Sequence, residues 1–148
     1  MISKSLKETE KIAQEFLNKI SAHTYTNTHT NQAVIVGLFG DLGSGKTTFT
    51  QALGKLLGVQ EVMTSPTFVL EKFYLLDEKI NFNKLIHIDA YRLDSGKELL
   101  SLKFEEMKKD PNNLILIEWP ERVADILPTD IIKINFKFVS ENEREIEF

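Results

Sequence analysis

Apolar positions along this chain change period several times, and each change marks a predicted element. Ala33-Val34-Ile35-Val36-Gly37-Leu38-Phe39 is one continuous apolar run, the pattern of a strand buried on both faces. Phe49, Ala52, Leu53, Leu56 and Leu57 then recur at helical spacing, and Gly58 stands where a helix C-cap belongs. Upstream, Ile12, Ala13, Phe16, Leu17 and Ile20 form the stripe of an amphipathic helix predicted over Ser5 to Ile20. Ser5 and Glu8 sit at capping-box spacing, and packing on a sheet is the role expected of that stripe.

The second half continues the alternation. Phe68 to Leu76 reads as a strand by its aromatic and β-branched content, and Lys84 to Asp89 as the next. The short polar connection Asp77 to Asn83 predicts that the two pair antiparallel. A helix is expected from Ser95 to about Met107, with Glu98 at capping-box spacing. Leu114 to Glu118 is a second buried strand, stopped by Trp119-Pro120, and a short helix is expected from Glu121 to Leu127. Ile132, Ile134, Phe136 and Phe138 alternate with Lys133, Asn135 and Lys137, the pattern of a strand with one wet face. A turn at Ser140 to Asn142 leads to a last alternating strand, Arg144 to Phe148, expected as an antiparallel extension of the sheet. Together these elements predict an α/β domain covering residues 1–148.

The connection between the first buried strand and its helix carries the chemistry. Gly40-Asp41-Leu42-Gly43-Ser44-Gly45-Lys46-Thr47 fits G-x-x-x-x-G-K-[ST], the phosphate-binding P-loop, in the strand–turn–helix context that motif requires. Gly40, Gly43 and Gly45 let the backbone turn and bring N–H groups against phosphate oxygens, where the helix N-terminus adds its positive end. Lys46 supplies a charge to the β- and γ-phosphates, and the Thr47 hydroxyl suits magnesium, a hard cation that takes oxygen ligands. The plainer alternative is a Gly-rich turn that happens to contain a lysine.

Composition narrows the classes. The net charge is −4, and the only arginines are Arg92, Arg122 and Arg144, so nothing argues for a surface that binds nucleic acid by itself. Without cysteine, disulfides, thiolate metal sites and cysteine nucleophiles are excluded. The first residues alternate charge with apolar side chains, and no apolar run approaches membrane-spanning length, so a soluble cytoplasmic protein without a membrane partner is expected. The polar segment Ser21 to Gln32 reads as a loop, with His23 and His29 solvated rather than binding metal.

Two acidic residues close apolar strands, Asp89 and Glu118. In open α/β sheets ligands sit beyond the carboxyl ends of strands, and a P-loop enzyme needs one carboxylate for magnesium and a group to orient water. Spacing does not say which residue does which, and either could instead cap a turn. Thr64-Ser65-Pro66-Thr67 lies where P-loop proteins place a loop sensing the γ-phosphate, although a plain turn fits it equally. Arg92 reads as a finger toward phosphate or as a surface ion pair. Trp119 reads as core or as a stacking group near nucleotide or partner. Asn83-Lys84 is followed by Leu85-Ile86, so the guanine-recognition pattern Asn-Lys-x-Asp is absent and ATP is expected over GTP.

Gly40 to Thr48, Thr64-Ser65-Pro66-Thr67-Phe68, His87-Ile88-Asp89-Ala90-Tyr91-Arg92-Leu93 and Ile117-Glu118-Trp119-Pro120-Glu121-Arg122, in that order and spacing, resemble the TsaE (YjeE) family. The resemblance covers most of the chain. It implies a three-layer α/β/α P-loop fold with a mixed, largely parallel sheet. It also implies a bacterial ATPase, using ATP and Mg2+, needed to make threonylcarbamoyladenosine beside the tRNA anticodon. Such a protein acts on a TsaD–TsaB heterodimer, reaching tRNA through that complex, and its hydrolysis resets the machine between cycles. The resemblance places Gly40, Asp41, Leu42, Gly43, Ser44, Gly45, Lys46, Thr47 and Thr48 at the nucleotide, with Thr9 and Arg144 approaching it. It makes Thr47 and Glu118 the magnesium ligands, and Asp89 the other acidic residue that hydrolysis needs alongside Lys46. Ser65 and Thr67 become a switch loop, and Tyr91, Arg92 and Trp119 flank the site or a partner. Two departures stand out: Lys103 where relatives commonly carry glycine, and Ser44 for the commoner alanine. A small-molecule kinase and a nucleotide switch that does not depend on hydrolysis are the competing readings; the former wants a cationic lid that this chain does not show.

Overall fold

The structure is a computed structural model that describes residues 1–21, 31–76 and 82–148. Most of the loop expected over 21–32, with both its histidines, and most of the connection expected at 77–83 lie outside the described residues. In chain order the elements are β1 (Ile2–Ser3), α1 (Leu6–Ser21), β2 (Val34–Phe39), α2 (Lys46–Leu56), β3 (Glu71–Leu75) and β4 (Lys84–Asp89). There follow α3 (Gly96–Ser101), α4 (Phe104–Lys108), β5 (Asn113–Glu118), a 3-10 turn (Pro120–Val123), β6 (Ile132–Ser140) and β7 (Glu143–Glu147).

The strands form one seven-stranded sheet in the order β1-β7-β6-β2-β5-β4-β3. Its centre, β6-β2-β5-β4, is parallel, and the flanking pairs are antiparallel. Central parallel strands have both faces covered, and β5 is buried at every position. On one face Phe16 and Ile20 of α1 and Phe49 and Leu53 of α2 pack with Val36, Leu38, Leu114 and Leu116. On the other, Leu99, Phe104 and Val123 pack with Ile35, Ile86, Ile88 and Ile117. The parallel register sets the carboxyl ends of β4 and β5 side by side, with Asp89 opposite Glu118.

The caps predicted at Ser5 and Gly58 form, whereas Ser95 makes no side-chain cap and Glu98 accepts the Asp94 N–H at 3.1 Å. The Glu8 N–H donates to Ser5 Oγ at 3.2 Å, and the Glu8 carboxylate accepts the Lys4 N–H at 2.7 Å. At the end of α2, Gly58 takes φ 80°, and the N–H groups of Gly58 and Val59 reach Lys55 O and Gly54 O at 3.1 and 3.0 Å, a full Schellman closure.

Three expectations shift. The strand expected from Phe68 begins only at Glu71, because the Pro66 carbonyl accepts the N–H groups of Val69 and Leu70 at 2.9 and 2.8 Å and winds the chain into a turn. The helix expected from Ser95 to Met107 is two short helices, α3 and α4, broken at Lys103, which adopts φ 63° and ψ 31°. The helix expected over Glu121 to Leu127 is one 3-10 turn. Asp125 there turns its carboxylate to the Gly96 N–H at 2.9 Å, and Leu127 precedes a proline, which disfavours helical backbone. The two-residue strand β1, paired with β7, was not foreseen.

Candidate nucleotide site

β2 delivers the chain to Gly40, whose φ of 140° lies outside the range of residues with a side chain; a Cβ there would collide with the Phe136 carbonyl. The turn ends at Gly45, and α2 starts at Lys46 with no side chain capping its N-terminus and no acid in its first turn. Its orphan N–H groups and positive end are therefore free for an anion.

Lys46 is buried, and its Nζ donates to the carbonyls of Gly40 at 2.5 Å and Asp41 at 2.9 Å. Burial lowers its pKa from the usual value; Glu118 most, then Glu121, Asp89 and Asp41, pull it back up. The same ammonium lies 4.1 Å from the centre of the Trp119 ring, which in turn stands 5.1 Å from the Tyr91 ring.

The two strand-end acids sit in different surroundings. Glu118 accepts the Thr47 hydroxyl, at 3.0 Å on Oε1 and 3.3 Å on Oε2, and its Oε1 lies 2.9 Å from His87 Nε2. Asp89 Oδ2 accepts the hydroxyls of Thr67 at 2.5 Å and Ser65 at 3.2 Å, and Oδ1 accepts the Tyr91 N–H at 2.9 Å. Glu118 thus faces the P-loop helix, and Asp89 holds the loop at Thr64 to Thr67.

Lys46, Thr47, Asp89, Tyr91, Glu118 and Trp119 line one cavity of about 480 Å³. Of the predicted residues, Leu42 to Thr48, Thr9, Ser65, Thr67, Asp89, Tyr91, Glu118, Trp119 and Arg144 line it. Gly40 and Asp41 lie behind it, turning their carbonyls to Lys46. Arg92 does not line it: its guanidinium stacks over the Phe68 ring at 4.4 Å, and it forms no ion pair among the described residues. Neither reading of Arg92 from sequence describes it. Arg144 braces the loop, donating from Nε to Gly43 O at 3.0 Å and from Nη1 to Ser140 O at 2.7 Å.

Sequence reasoning missed the wall opposite the P-loop. β1 pairs with β7 at Ile2–Glu145 and Ser3–Arg144, which brings Ser3, Lys4, Ser5 and Leu6 to the cavity beside Asn142 and Ile146. Ser3 Oγ lies 2.7 Å from Thr9 Oγ1. A two-residue strand carries no periodicity to read. His87 was passed over as a site residue as well, although one imidazole among Leu85, Ile86 and Ile88 was a legible signal.

The donor set fits magnesium. The Thr47 hydroxyl and Glu118 carboxylate offer adjoining oxygens, while no cluster of three or more His, Asp or Glu makes a metal cage among the described residues. Magnesium characteristically takes one or two protein oxygens and completes its shell with phosphate and water.

The family model described as "Threonylcarbamoyl adenosine biosynthesis protein TsaE" matches residues 3–146. The chain belongs to the TsaE family. Relatives named tRNA threonylcarbamoyladenosine biosynthesis protein TsaE include one from Rickettsia typhi, 37% identical over 95% of this chain and 87% of its own. One from Haemophilus influenzae is 34% identical over 94% of this chain and 87% of its own. A third, from Bacillus subtilis, is 34% identical over 77% and 68%. A crystal structure of Bacillus subtilis YdiB superposes with a TM-score of 0.69 at 26% identity, covering 99% of this chain and 80% of that one. This TsaE-family chain therefore belongs to a family involved in tRNA threonylcarbamoyladenosine biosynthesis, and its mixed sheet is shared with a solved neighbour. Among the described residues, no helix is long and apolar enough to cross a membrane.

Proposed function

We propose that this chain binds and hydrolyses MgATP in the cytoplasm to drive a TsaD–TsaB complex that modifies the tRNA adenosine beside the anticodon. The observation that carries the reading is the meeting of the Thr47 hydroxyl with the Glu118 carboxylate beside the buried Lys46. The α2 N-terminus and the P-loop N–H groups receive the phosphates, and Lys46 exchanges its loop carbonyls for phosphate oxygens. Thr47 and Glu118 would hold magnesium, which would supply positive charge to offset that of the phosphates. Asp89 orients the attacking water or the loop that approaches it, through Ser65 and Thr67. Thr9 and the β1 wall close the opposite side.

The partner reading is supported by the same loop. Val62 and Phe68 flank Ser65 and Thr67 and are 86% and 82% exposed. Apolar side chains so placed let a partner sense what Asp89 holds. The deciding experiment compares ATP turnover by the chain alone and with a TsaD–TsaB pair, for the natural chain and Glu118→Gln. Weak turnover that the pair changes, with Glu118→Gln binding ATP but not cleaving it, is expected. Full turnover by Glu118→Gln would remove the carboxylate from the reaction, and absence of ATP binding would remove the reading altogether.

A further inference from the structure

β4 carries Leu85, Ile86 and Ile88 into the core, and with them an imidazole, His87, that is 1% exposed. Strand alternation puts His87 on the face of Leu85, which packs with α1 and α2. In the parallel register His87 stands opposite Leu116 and Asp89 opposite Glu118. The imidazole therefore reaches diagonally across the strand pair to Glu118, and its Nε2 lies 2.9 Å from Oε1. That contact is the whole of its polar environment: Nδ1 is buried with no partner among the described residues. A polar ring in an apolar core needs its hydrogen bond, and the bond made here goes to the carboxylate beside Thr47.

The carboxylate has few other holders. Lys46 gives its protons to Gly40 O and Asp41 O, and the loop hydroxyls of Ser65 and Thr67 go to Asp89. Glu118 is held by Thr47 and His87, and both are nearest to Oε1, since Thr47 Oγ1 is 3.0 Å from Oε1 and 3.3 Å from Oε2. Thr47 is itself a candidate metal ligand and so has a second task. His87 has none.

We propose that His87 is a positioning residue: its Nε2–H pins Oε1 of Glu118 and leaves Oε2 to take magnesium or a magnesium-bound water. The inference rests on the magnesium site proposed above. Donors behind a metal-binding group fix its orientation, and their loss typically costs about 10–100-fold in metal affinity.

Calorimetry of ADP binding, with excess magnesium and with a chelator, tests it in the full chain, His87→Phe and His87→Gln. The natural chain should bind ADP more tightly with magnesium. In His87→Phe that gain should shrink by about tenfold or more while the chelator value moves by no more than about twofold. His87→Gln, whose amide N–H reaches a similar place, should keep most of the gain. A purely structural histidine would weaken both values together, and that result, or an unchanged gain in His87→Phe, overturns the proposal. Equal loss of the gain in both variants overturns the hydrogen-bond role. No gain in the natural chain overturns the magnesium site itself, and the inference with it. Should His87→Phe not fold, the ring nitrogen resonances of His87 in the natural chain decide: they should shift when magnesium joins bound ADP, and a silent ring counts against the proposal.

Discussion

The ammonium of Lys46 lies 4.1 Å from the centre of the Trp119 ring. Trp119 follows Glu118 directly and holds φ 59°, a left-handed backbone that carries its ring back over the P-loop. A cation over an indole face is held by roughly 0.5–2 kcal/mol, which phosphate charge readily exceeds. Nucleotide should therefore draw Lys46 off the ring. A saturable change in the intrinsic fluorescence of Trp119, the only tryptophan, is expected on titration with ATP and magnesium. A flat response alongside binding seen by calorimetry would place Trp119 outside the nucleotide's reach.

Lys46→Ala should weaken MgATP binding by about a hundredfold or more. A hydrogen bond to a charged group contributes about 1.5–3 kcal/mol net, and phosphate adds a Coulomb attraction in a buried setting. The Gly40 and Asp41 carbonyls that Lys46 now satisfies would also be left to water. Calorimetry with unchanged affinity would sink the P-loop assignment.

The strands, the P-loop and both acidic strand ends were legible because each is written in local pattern: continuous apolar runs, three glycines at fixed offsets, a carboxylate where the run stops. What escaped depends on distant pairing. β1 is two residues long and exists because Ser3 meets Arg144, far along the chain. The Glu118 partner His87 is 31 residues away, and the pairing of Glu118 with Thr47, 71 residues away, was reached only through family resemblance. The late start of β3 came from the Pro66 carbonyl, which closes a turn on Val69 and Leu70 that residue type alone does not announce. Thr9 and Arg144 were reachable only through family resemblance, since neither spacing nor residue type marks them.

The lowered pKa of Lys46 gives affinity a pH dependence whose sign can be worked out. In the free protein, burial pulls the value below 10.5. Bound phosphate favours the charged ammonium and raises the value again. The bound state then holds more protons than the free state, so affinity falls as pH rises through the free-protein value, by at most about tenfold per pH unit. Calorimetry in alkaline buffers of differing ionisation enthalpy should show proton uptake on binding, at lower pH than an ordinary lysine would give. Proton release there, or none, would contradict the electrostatics of the site.

Asp89→Asn should slow hydrolysis by about a hundredfold and change ATP affinity by less than about threefold. Asp89 contacts the loop hydroxyls of Ser65 and Thr67 and not Thr47 or Lys46, and its charge acts on Lys46 less than that of Glu118, so its loss bears mainly on the loop and water. Asparagine keeps one acceptor oxygen for a hydroxyl but loses the negative charge that a water-orienting group needs. Single-turnover cleavage measured beside equilibrium binding separates the two effects. Equal losses in both would make Asp89 a structural tie for the loop.

Lys103 provides a test of stability away from the site. Its φ of 63° ends α3 and starts α4, a task glycine performs without the clash a Cβ brings. A non-glycine residue in the left-handed region costs about 1–2 kcal/mol, while glycine costs about 0.5–1 kcal/mol in added freedom of the unfolded chain. The lysine has little to offset the difference: its ion pair with Glu106 is 4.0 Å long between side chains that are 74% and 73% exposed. Lys103→Gly should therefore raise stability by about 0.5–1 kcal/mol, or about 1–4 °C in Tm for a chain of this size. Lys103→Ala keeps the Cβ and removes only the ion pair, so it should change Tm by less than about 1 °C. Thermal unfolding of both variants decides it. A Lys103→Gly variant no more stable than Lys103→Ala would mean that the strained turn is not what limits this corner of the fold.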